Sequence, residues 1–300
     1  MINVIFCADA NYVQHLGVTL ASLLSNNLNN QFLITVVTCK RKPAWESALA
    51  QIAAAHRNAS IRFKRFDLSR VAHLETDHHA TASVYMRLFM TEFVDDSVNK
   101  ALYLDSDLIV CRDIGPLWMT DIAGYALAAV RESPEARYVL GRSIPSGRYF
   151  NSGVLLVNLD RWRRSGAPKH FIKLAEEHDG KVTWWDQDIL NAVYCSETYL
   201  LDLEWNFQAR MADCTADELQ IEPGYFAIAR ESPAIVHFTG STKPWGYGAK
   251  VPYMELYFKY LALTPWRGYT PRETLRAKLH RIPGIDDMKR LIKSRFPGRA

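Results

Sequence analysis

The first 67 residues alternate between apolar strands and amphipathic helices, which constrains the fold more than any other feature of this chain. Residues 2–8, 31–40 and 60–67 are predicted strands, and apolar residues recur at helical spacing in the two segments between them. A strand–helix–strand–helix–strand order of this length indicates a parallel, doubly wound α/β sheet.

Ligands of such sheets bind beyond the carboxyl ends of the strands. Asp9, Asn11 and Tyr12 directly follow the first predicted strand, so we expect them to line a cleft. Capping of the next helix by Asp9 or Asn11 is the alternative. The sequence contains no glycine-rich phosphate-binding motif, so a phosphorylated ligand would have to be neutralised by a metal ion and cationic side chains.

A second apolar stretch carries two carboxylates near its middle: Lys100-Ala-Leu-Tyr-Leu-Asp105-Ser-Asp107-Leu-Ile-Val110. Alternate side chains of an extended chain share a face, so Asp105 and Asp107 can point at one spot. Paired oxygen ligands at the end of a buried strand suit Mg²⁺ or Mn²⁺. A solvated turn is the alternative, because Asp-x-Asp arises by chance about once in a chain of this length.

Two further segments place polar side chains among apolar ones. Arg87 lies in a predicted helix, 83–93, with largely apolar neighbours, and it therefore requires an acidic partner in the core or on a substrate. Asn151, Ser152 and Gly153 lead into a predicted strand, and the glycine permits either a bulge or the close approach of a ligand.

Polar residues also follow two later apolar or aromatic segments. Asp186 and Gln187 come after two tryptophans at the start of a predicted helix, where they either cap the helix or bind a sugar. His237 lies on the last predicted strand, 234–238, and Lys243 follows after a glycine. A turn there could bring imidazole and ammonium to one diphosphate–metal centre, with a purely structural histidine as the alternative.

Composition narrows the class of protein. A chain of 300 residues with 48% apolar side chains suits one large or two small domains with a substantial core. The five cysteines are scattered and lack a C-x-x-C pair, which favours reduced thiols in the cytoplasm. The N-terminus lacks the basic region of a signal peptide, and no apolar run is long enough to span a membrane. We expect a soluble or peripheral protein.

Charge is unevenly distributed along the chain. The net charge is +4, but residues 266–300, here called the C-terminal tail, carry ten Lys or Arg against three acids, leaving about −3 for the rest. Apolar residues recur along the tail at helical spacing, which predicts a basic amphipathic helix attached to an anionic membrane surface. Docking of the tail on the rest of the chain is the alternative. Nucleic acid is not an expected partner, because residues 1–265 are not basic.

Four motifs occur in one order: Asp105-Ser-Asp107, Phe-Asn-Ser-Gly-Val-Leu-Leu-Val-Asn-Leu from 150, Trp-Asp-Gln-Asp-Ile-Leu-Asn from 185, and His-Phe-Thr-Gly-Ser-Thr-Lys-Pro-Trp from 237. In this order they closely resemble glycosyltransferase family 8, of the lipopolysaccharide galactosyl- and glucosyltransferase and general stress protein A types. The resemblance covers about residues 1–245. It is specific because all four motifs occur together and in the same order.

The resemblance implies a GT-A fold, an α/β structure with a Rossmann-like mixed sheet, over residues 1–265. It implies retaining transfer of galactose or glucose from a UDP-sugar to a glycan acceptor, such as lipopolysaccharide or another lipid-linked saccharide. The implied cofactor is Mn²⁺, with Mg²⁺ as the alternative. The implied location is the cytoplasm, at the inner face of the cytoplasmic membrane, with the C-terminal tail as the membrane-association region.

Matching positions also carry implied roles. The metal would be held by Asp105, Asp107 and His237. The nucleotide would be held by Ala8, Asp9, Asn11, Tyr12, Asp105, Ser106, Gly240 and Lys243. The donor sugar would be held by Arg87, Asn151, Ser152, Asp186 and Gln187. His79 matches a further cleft position.

The catalytic role falls on Gln187 and Asp186. An amide is a poor nucleophile, so we favour a front-face, ion-pair-like substitution in which Gln187 stabilises the developing oxocarbenium ion. Asp186 is the alternative nucleophile. Arg131 stands where some relatives carry an acid in the acceptor cleft, which would favour a phosphorylated or acidic acceptor.

Two other functions remain open at this point. The segment from Leu102 to Asp107 also resembles the first motif of haloacid-dehalogenase-type phosphatases, although about a hundred residues precede it and that motif normally lies on the first strand of its fold. The other alternative is a non-catalytic nucleotide-sugar-binding protein.

Overall fold

A computed structural model describes residues 1–74, 81–132, 134–178 and 182–273. Its strands are β1 (Ile2–Ala8), β2 (Phe32–Thr38), β3 (Ala59–Arg65), β4 (Lys100–Leu104), β5 (Leu108–Val110), β6 (Leu127–Arg131), β7 (Arg137–Val139), β8 (Arg142–Ile144), β9 (Phe150–Asn158), β10 (Thr198–Leu201), β11 (Phe207–Gln208) and β12 (Ile235–His237). Its α-helices are α1 (Val13–Ser25), α2 (Pro43–His56), α3 (Gly115–Met119), α4 (Leu159–Arg164), α5 (Ala167–Glu176), α6 (Trp185–Tyr194), α7 (Pro223–Glu231) and α8 (Met254–Leu261).

The predicted α/β alternation is present at the start of the chain. Strands β1, β2 and β3 pair in parallel and are connected by α1 and α2. Pro43 opens α2 at a position where a helix needs no amide hydrogen, and Arg57 ends it in the left-handed conformation with φ 58°.

The main sheet is mixed rather than fully parallel. Its strand order is β10-β6-β9-β4-β1-β2-β3, and β9 runs antiparallel to both β4 and β6. A second sheet of three strands has the order β11-β12-β5, with β12 antiparallel to β5. The mixed sheet flanked by helices is the architecture that the resemblance implied.

The main sheet has one core layer on each face, and a third apolar cluster joins α1, α8 and the small sheet. In β4, Leu102 and Leu104 belong to the core that includes the apolar residues of α1 and α2. Ala101 and Tyr103 belong to the opposite core, which includes those of α4, α5 and α6. Because successive strand residues face opposite sides, these helices cover the sheet on both faces.

Asp105 and Asp107 lie on a turn, residues 105–107, which is called the acid turn below. The sequence had predicted an extended segment at this place. Strand β4 ends at Leu104 in the main sheet, and β5 begins at Leu108 in the small sheet. Asp105 and Asp107 therefore flank the point where the chain leaves one sheet for the other. Apolar runs on both sides resemble one interrupted strand, so the sequence did not reveal the change of sheet.

One local prediction was wrong, and a second segment is helical as predicted but forms a different type of helix. The predicted loop 133–149 contains the hairpin β7–β8, whose turn residues Leu140 and Gly141 both have positive φ. No Asn-Gly or Asp-Gly pair marks that turn, so the usual hairpin signal is missing. The predicted helix 83–93 is a 3₁₀ helix, Ala82–Glu92, with a non-helical residue at Phe89.

The end of the described chain packs on its beginning. A Cβ on Gly17 of α1 would lie 2.4 Å from the ring of Trp266, and the Tyr269 hydroxyl donates to the carbonyl of Trp245 at 3.0 Å. The predicted tail helix and His79 lie outside the described residues. Among the described residues, no helix combines the length and apolar character needed to cross a bilayer.

Candidate active site

The candidate site lies at the edge of the main sheet where β1 and β4 end. Strand β9 runs the opposite way, with Val154 paired to Leu104, so its first residues arrive at the same edge. Asn151, Ser152 and Gly153 thus lie beside the acid turn, and the amide of Asp105 donates to the carbonyl of Gly153 at 2.9 Å. The antiparallel direction of β9 therefore places the motif that begins at Phe150 beside the Asp105-Ser-Asp107 motif.

Three candidate metal ligands converge here. One ligand atom from each of Asp105, Asp107 and His237 can be chosen so that all lie within 4.8 Å of one another. Nε2 of His237 lies 3.2 Å from Oδ1 of Asp107 and 3.8 Å from Oδ2 of Asp105. Two carboxylates and an imidazole are a donor set that suits Mn²⁺ or Mg²⁺.

Gly153 makes this convergence possible. A Cβ built on it would lie 2.2 Å from Cε1 of His237 and 2.9 Å from Oδ2 of Asp105. Both distances are far shorter than real contacts allow, so any side chain at 153 would displace the imidazole. The glycine admits the close approach of His237 rather than of an outside ligand. The bulge that was the alternative is also present, because residues 151–154 of β9, Gly153 among them, stand opposite the single residue Val130 of β6.

Arg87 connects the candidate metal ligands with the candidate sugar site. Its guanidinium lies 2.8 Å from Oδ1 of Asp105 and 3.1 Å from Oδ2 of Asp186, and it donates to the carbonyl of Ser152 at 2.9 Å. The residue is 7% exposed. The acidic partners that a buried arginine requires are therefore two carboxylates of the chain, which is the first of the two interpretations, and a role toward a substrate stays a prediction.

Two carboxylates of the site have opposite pKa shifts. Burial alone would raise the pKa of Asp107, but the charges of Lys243 and His237 outweigh it and hold that pKa well below its usual range. Burial raises the pKa of Asp186 to about 6, and the attraction of Arg87 offsets only part of this rise. Asp107 is therefore held as an anion, whereas burial keeps the proton of Asp186 up to about pH 6.

Helix α6 presents its first residues to the site. Asp188 accepts the backbone N–H of Trp184 at 2.9 Å and the Tyr149 hydroxyl at 2.6 Å, so this acid satisfies a backbone donor at the start of its own helix. Asp186 instead accepts the hydroxyl of Ser152 at 3.0 Å. Asp188 thus stabilises the start of the helix, whereas Asp186 belongs to the site.

Gln187 is held on both sides of its amide. Its Oε1 accepts the backbone N–H of Ser152 at 3.0 Å and Nδ2 of Asn151 at 3.1 Å. Its Nε2 donates to the Tyr149 hydroxyl at 3.2 Å. The two lone pairs of the oxygen are both engaged, so Gln187 orients the first residues of β9.

The loop between β1 and α1 carries three of the predicted nucleotide residues, Asp9, Asn11 and Tyr12. Asp9 accepts the amide of Asn11 at 2.8 Å and the Thr81 hydroxyl at 3.0 Å. Tyr12 precedes α1 with no side-chain capping bond, so capping by Asp9 or Asn11, the alternative interpretation, is not observed. Burial raises the pKa of Tyr12, and the negative charges of Asp107, Asp9 and Asp105 raise it further.

Ala8 and Ser106, two further predicted nucleotide residues, have contacts within the fold. Ala8 is the buried last residue of β1. The Ser106 hydroxyl donates to the carbonyl of Cys7 at 3.2 Å, which fastens the acid turn to β1.

The loop after β12 completes the site. Gly240 has φ +80°, in the region that favours glycine, and a Cβ there would meet open space. Nζ of Lys243 lies 2.6 Å from Oδ2 of Asp107, so this cation reaches the acid turn. Trp245 stacks on His15, with ring centroids 3.6 Å apart, and contacts the edge of Tyr12.

Arg131 does not reach the site. Its guanidinium donates to the carbonyls of Leu219 and Gln220, at 2.6 and 3.1 Å. The next residue, Glu132, accepts from Asn151 at 2.8 Å and pairs with Arg210 at 2.6 Å. These contacts do not support the expectation that Arg131 lines the acceptor cleft. The register of β6 against β9 shifts here, because residues 151–154 of β9 stand opposite Val130 alone, between the pairs Ala129–Leu155 and Arg131–Phe150.

Sequence reasoning missed Glu132 and Asn206. Asn206 is completely buried, and its Oδ1 lies 2.9 Å from Nδ1 of His237. Both are single polar residues outside the four motifs, and only the folded chain shows which groups they contact.

The main sheet is mixed, and a candidate metal cluster and a buried arginine–carboxylate pair lie where its parallel strands end. This fold and this site define a GT-A type glycosyltransferase. The comparisons with known proteins agree. The sequence profile described as "Glycosyl transferase family 8" matches residues 3–249, and the chain belongs to this family. It is an enzyme of the hexosyltransferase class.

Similar proteins and structures cover most of the chain. General stress protein A of Bacillus subtilis (strain 168) is 31% identical over 89% of this chain and 95% of its own length. Lipopolysaccharide 1,2-glucosyltransferase of Escherichia coli (strain K12) is 26% identical over 91% and 81%. The crystal structure of the galactosyltransferase LgtC with donor and acceptor sugar analogs superposes with a TM-score of 0.75 at 26% identity, covering 89% of this chain and 99% of that one.

Proposed function

We propose that the protein transfers galactose or glucose, with retention of configuration, from a UDP-sugar to a lipopolysaccharide or another lipid-linked saccharide, with Mn²⁺ as cofactor. The observation that carries the proposal is the convergence of Asp105, Asp107 and His237 beside the Arg87–Asp186 pair. Relatives named as lipopolysaccharide 1,2-glucosyltransferase and 1,3-galactosyltransferase support the sugar and acceptor classes.

The candidate ligands fit a hard divalent cation. Asp107 is held as an anion, and Nε2 of His237 faces both carboxylates. Mn²⁺ bound there would act as a Lewis acid and stabilise the charge of the departing diphosphate. Mg²⁺ is the alternative ion, because both accept oxygen ligands.

The nucleotide would lie between two loops. Asp9, Asn11 and Tyr12 belong to the loop after β1, and Tyr12 offers a half-buried ring on which a uracil base can stack. Lys243 supplies a compact cation for the diphosphate in place of a glycine-rich phosphate loop, and Gly240 leaves space for it.

The donor sugar would lie against Arg87, Asn151, Ser152, Asp186 and Gln187. The engaged Oε1 of Gln187 is unsuited to attack on the anomeric carbon, although its partial negative charge still favours an adjacent oxocarbenium ion. Asp186 is 3% exposed, and its Oδ2 is bound by both Arg87 and Ser152, so the negative charge of its carboxylate is already stabilised and is less available for attack. We therefore favour front-face substitution, and a glycosyl adduct trapped on Asp186 would contradict it.

Residues 1–265 would form the catalytic domain and the C-terminal tail a membrane-association region. The tail has a charge of +7, and its basic and apolar residues suit an anionic lipid surface. We expect the full chain to cosediment with vesicles containing phosphatidylglycerol but not with phosphatidylcholine vesicles alone. Replacing Lys289, Arg290 and Lys293 by Gln should weaken this binding, and equal binding to both vesicle types would contradict it.

The transfer proposal is tested with Mn²⁺ and a panel of UDP-sugars, following UDP release with and without lipopolysaccharide acceptors. We expect acceptor-stimulated release from UDP-galactose or UDP-glucose and little from the other donors. If no combination of donor and acceptor gives UDP release, the proposal is contradicted. The preferred donor identifies the transferred sugar.

The same assay addresses the two alternatives. Family membership supports transfer rather than phosphatase activity, and β4 is not the first strand of the fold. Hydrolysis of simple phosphomonoesters would revive the phosphatase interpretation. Binding of UDP-sugar without turnover would support the non-catalytic one.

A further inference from the structure

Asn206 lies between the candidate metal ligand His237 and the candidate sugar residue Asn151. It is completely buried, and its two amide atoms contact different partners. Oδ1 lies 2.9 Å from Nδ1 of His237, and Nδ2 lies 2.8 Å from Oδ1 of Asn151. His237 and Asn151 are themselves 3% and 7% exposed, so water cannot substitute freely for either contact.

The backbone fixes the direction of this chain of hydrogen bonds. The N–H of Gly153 can only donate, and it does so to Asn151 at 2.9 Å, so the Asn151 atom facing it must be the acceptor Oδ1. Asn206 must then present its own donor, Nδ2, to that oxygen. Its Oδ1 is left to face His237.

The facing oxygen determines the tautomer of the imidazole. An acceptor 2.9 Å from Nδ1 requires that Nδ1 carry a hydrogen, so the neutral ring keeps its lone pair on Nε2. Nε2 is the nitrogen that faces Asp107 and Asp105. We propose that Asn206 is a positioning residue that holds His237 in the Nδ1–H tautomer, with the Nε2 lone pair directed at the metal site. This inference rests on the proposed metal site.

The direct test is Mn²⁺ affinity, measured by electron paramagnetic resonance of free Mn²⁺ without nucleotide or sugar. Asn206→Leu removes the acceptor while roughly keeping the volume, and we expect it to weaken binding about 10- to 100-fold. Asn206→Asp keeps an acceptor for Nδ1, and we expect affinity within about threefold of the native protein, or tighter. A loss of binding in the Asp variant as large as in the Leu variant would overturn the proposal.

A matched control separates positioning from general destabilisation. Asn27 is also buried and hydrogen-bonded, to the carbonyl of Leu23 and the amide of Ile114, at the opposite end of α1. Asn27→Leu should reduce thermal stability but leave Mn²⁺ affinity unchanged. Equal losses of affinity in Asn27→Leu and Asn206→Leu would show that Asn206 acts through stability alone, and would overturn the proposal.

A double-mutant cycle with His237→Ala tests whether Asn206 acts through the imidazole. We expect the effect of Asn206→Leu on Mn²⁺ affinity to disappear once His237 is absent, whereas a merely structural role would give additive losses. If Asn206→Leu has no effect but His237→Ala weakens binding, the inference fails and the metal site stands. If His237→Ala itself has no effect, the proposed metal site and the inference both fail.

Discussion

Nε2 of His237 lies 3.2 Å from Oδ1 of Asp107, although the two residues are far apart in the sequence. The small sheet explains their proximity, because β12 pairs antiparallel with β5 and places His237 opposite Leu108. The residue next to Leu108 is Asp107. Pairing of two three-residue strands therefore assembles a candidate metal site from two distant segments.

Asp107→Ala should abolish Mn²⁺-dependent transfer while leaving the fold largely intact. The change removes one of three candidate ligands, and we expect the rate to fall at least about 100-fold. UDP release and Mn²⁺ titration measure the loss, and circular dichroism measures the fold. Asp96→Ala, at a fully exposed carboxylate, is the control and should retain native activity. Undiminished Mn²⁺ affinity in Asp107→Ala would contradict the ligand role.

Gly153→Ala should weaken Mn²⁺ binding although it removes none of the three candidate ligands. The new methyl group would overlap Cε1 of His237, so the imidazole must move away from the carboxylates. We expect about a 10- to 100-fold loss of affinity, as for other changes that reorient a ligand. Gly124→Ala is the matched control, because a Cβ at that position meets nothing within 4 Å. Native affinity in Gly153→Ala would mean that His237 does not need its present position.

Lys243→Met should weaken nucleotide binding without weakening metal binding. Lys243 now neutralises Asp107, so its removal should leave Mn²⁺ affinity without nucleotide unchanged or raised. UDP affinity in the presence of Mn²⁺ should fall roughly tenfold, because a cation facing the diphosphate is lost. Titration calorimetry measures both, with exposed Lys250→Met as the control. A parallel loss of both affinities would argue against the phosphate role.

Asp186 should make the stability of the metal-free protein fall as pH rises from about 4 to about 6. Burial raises its pKa from 3.8 to about 6, so between these values the native state keeps a proton that the unfolded state has released. The difference corresponds to about 3 kcal/mol in the free energy of unfolding. Below pH 4 both states are protonated, and above pH 6 the full penalty is present.

Asp186→Asn isolates this contribution, because an amide does not titrate in this range. Urea unfolding of the native protein and the variant between pH 3.5 and 7.5 should give profiles that diverge across the window from pH 4 to 6. Parallel profiles would show that the Asp186 carboxyl has the same pKa in the folded and unfolded states.

Several elements were predictable from local pattern alone. Apolar periodicity and the breaks between runs placed β1, β2, β3, α1 and α2 within a few residues of their observed bounds. Each of these elements is formed by consecutive residues, so its type and approximate bounds can be predicted from its own apolar pattern. The hairpin β7–β8 was missed because its positive-φ turn residue Leu140 is not one that turn rules anticipate.

The sequence by itself determined the α/β alternation, the family and the identities of the side chains that carry charge at the site. Tertiary structure alone decided that β9 runs backward, that the acid turn joins two sheets, and that Glu132 rather than Arg131 faces Asn151. It also decided that Asn206 contacts His237. The physical reason is that strand direction, register and bulges depend on packing between distant segments, whereas periodicity records only which face of each segment is buried.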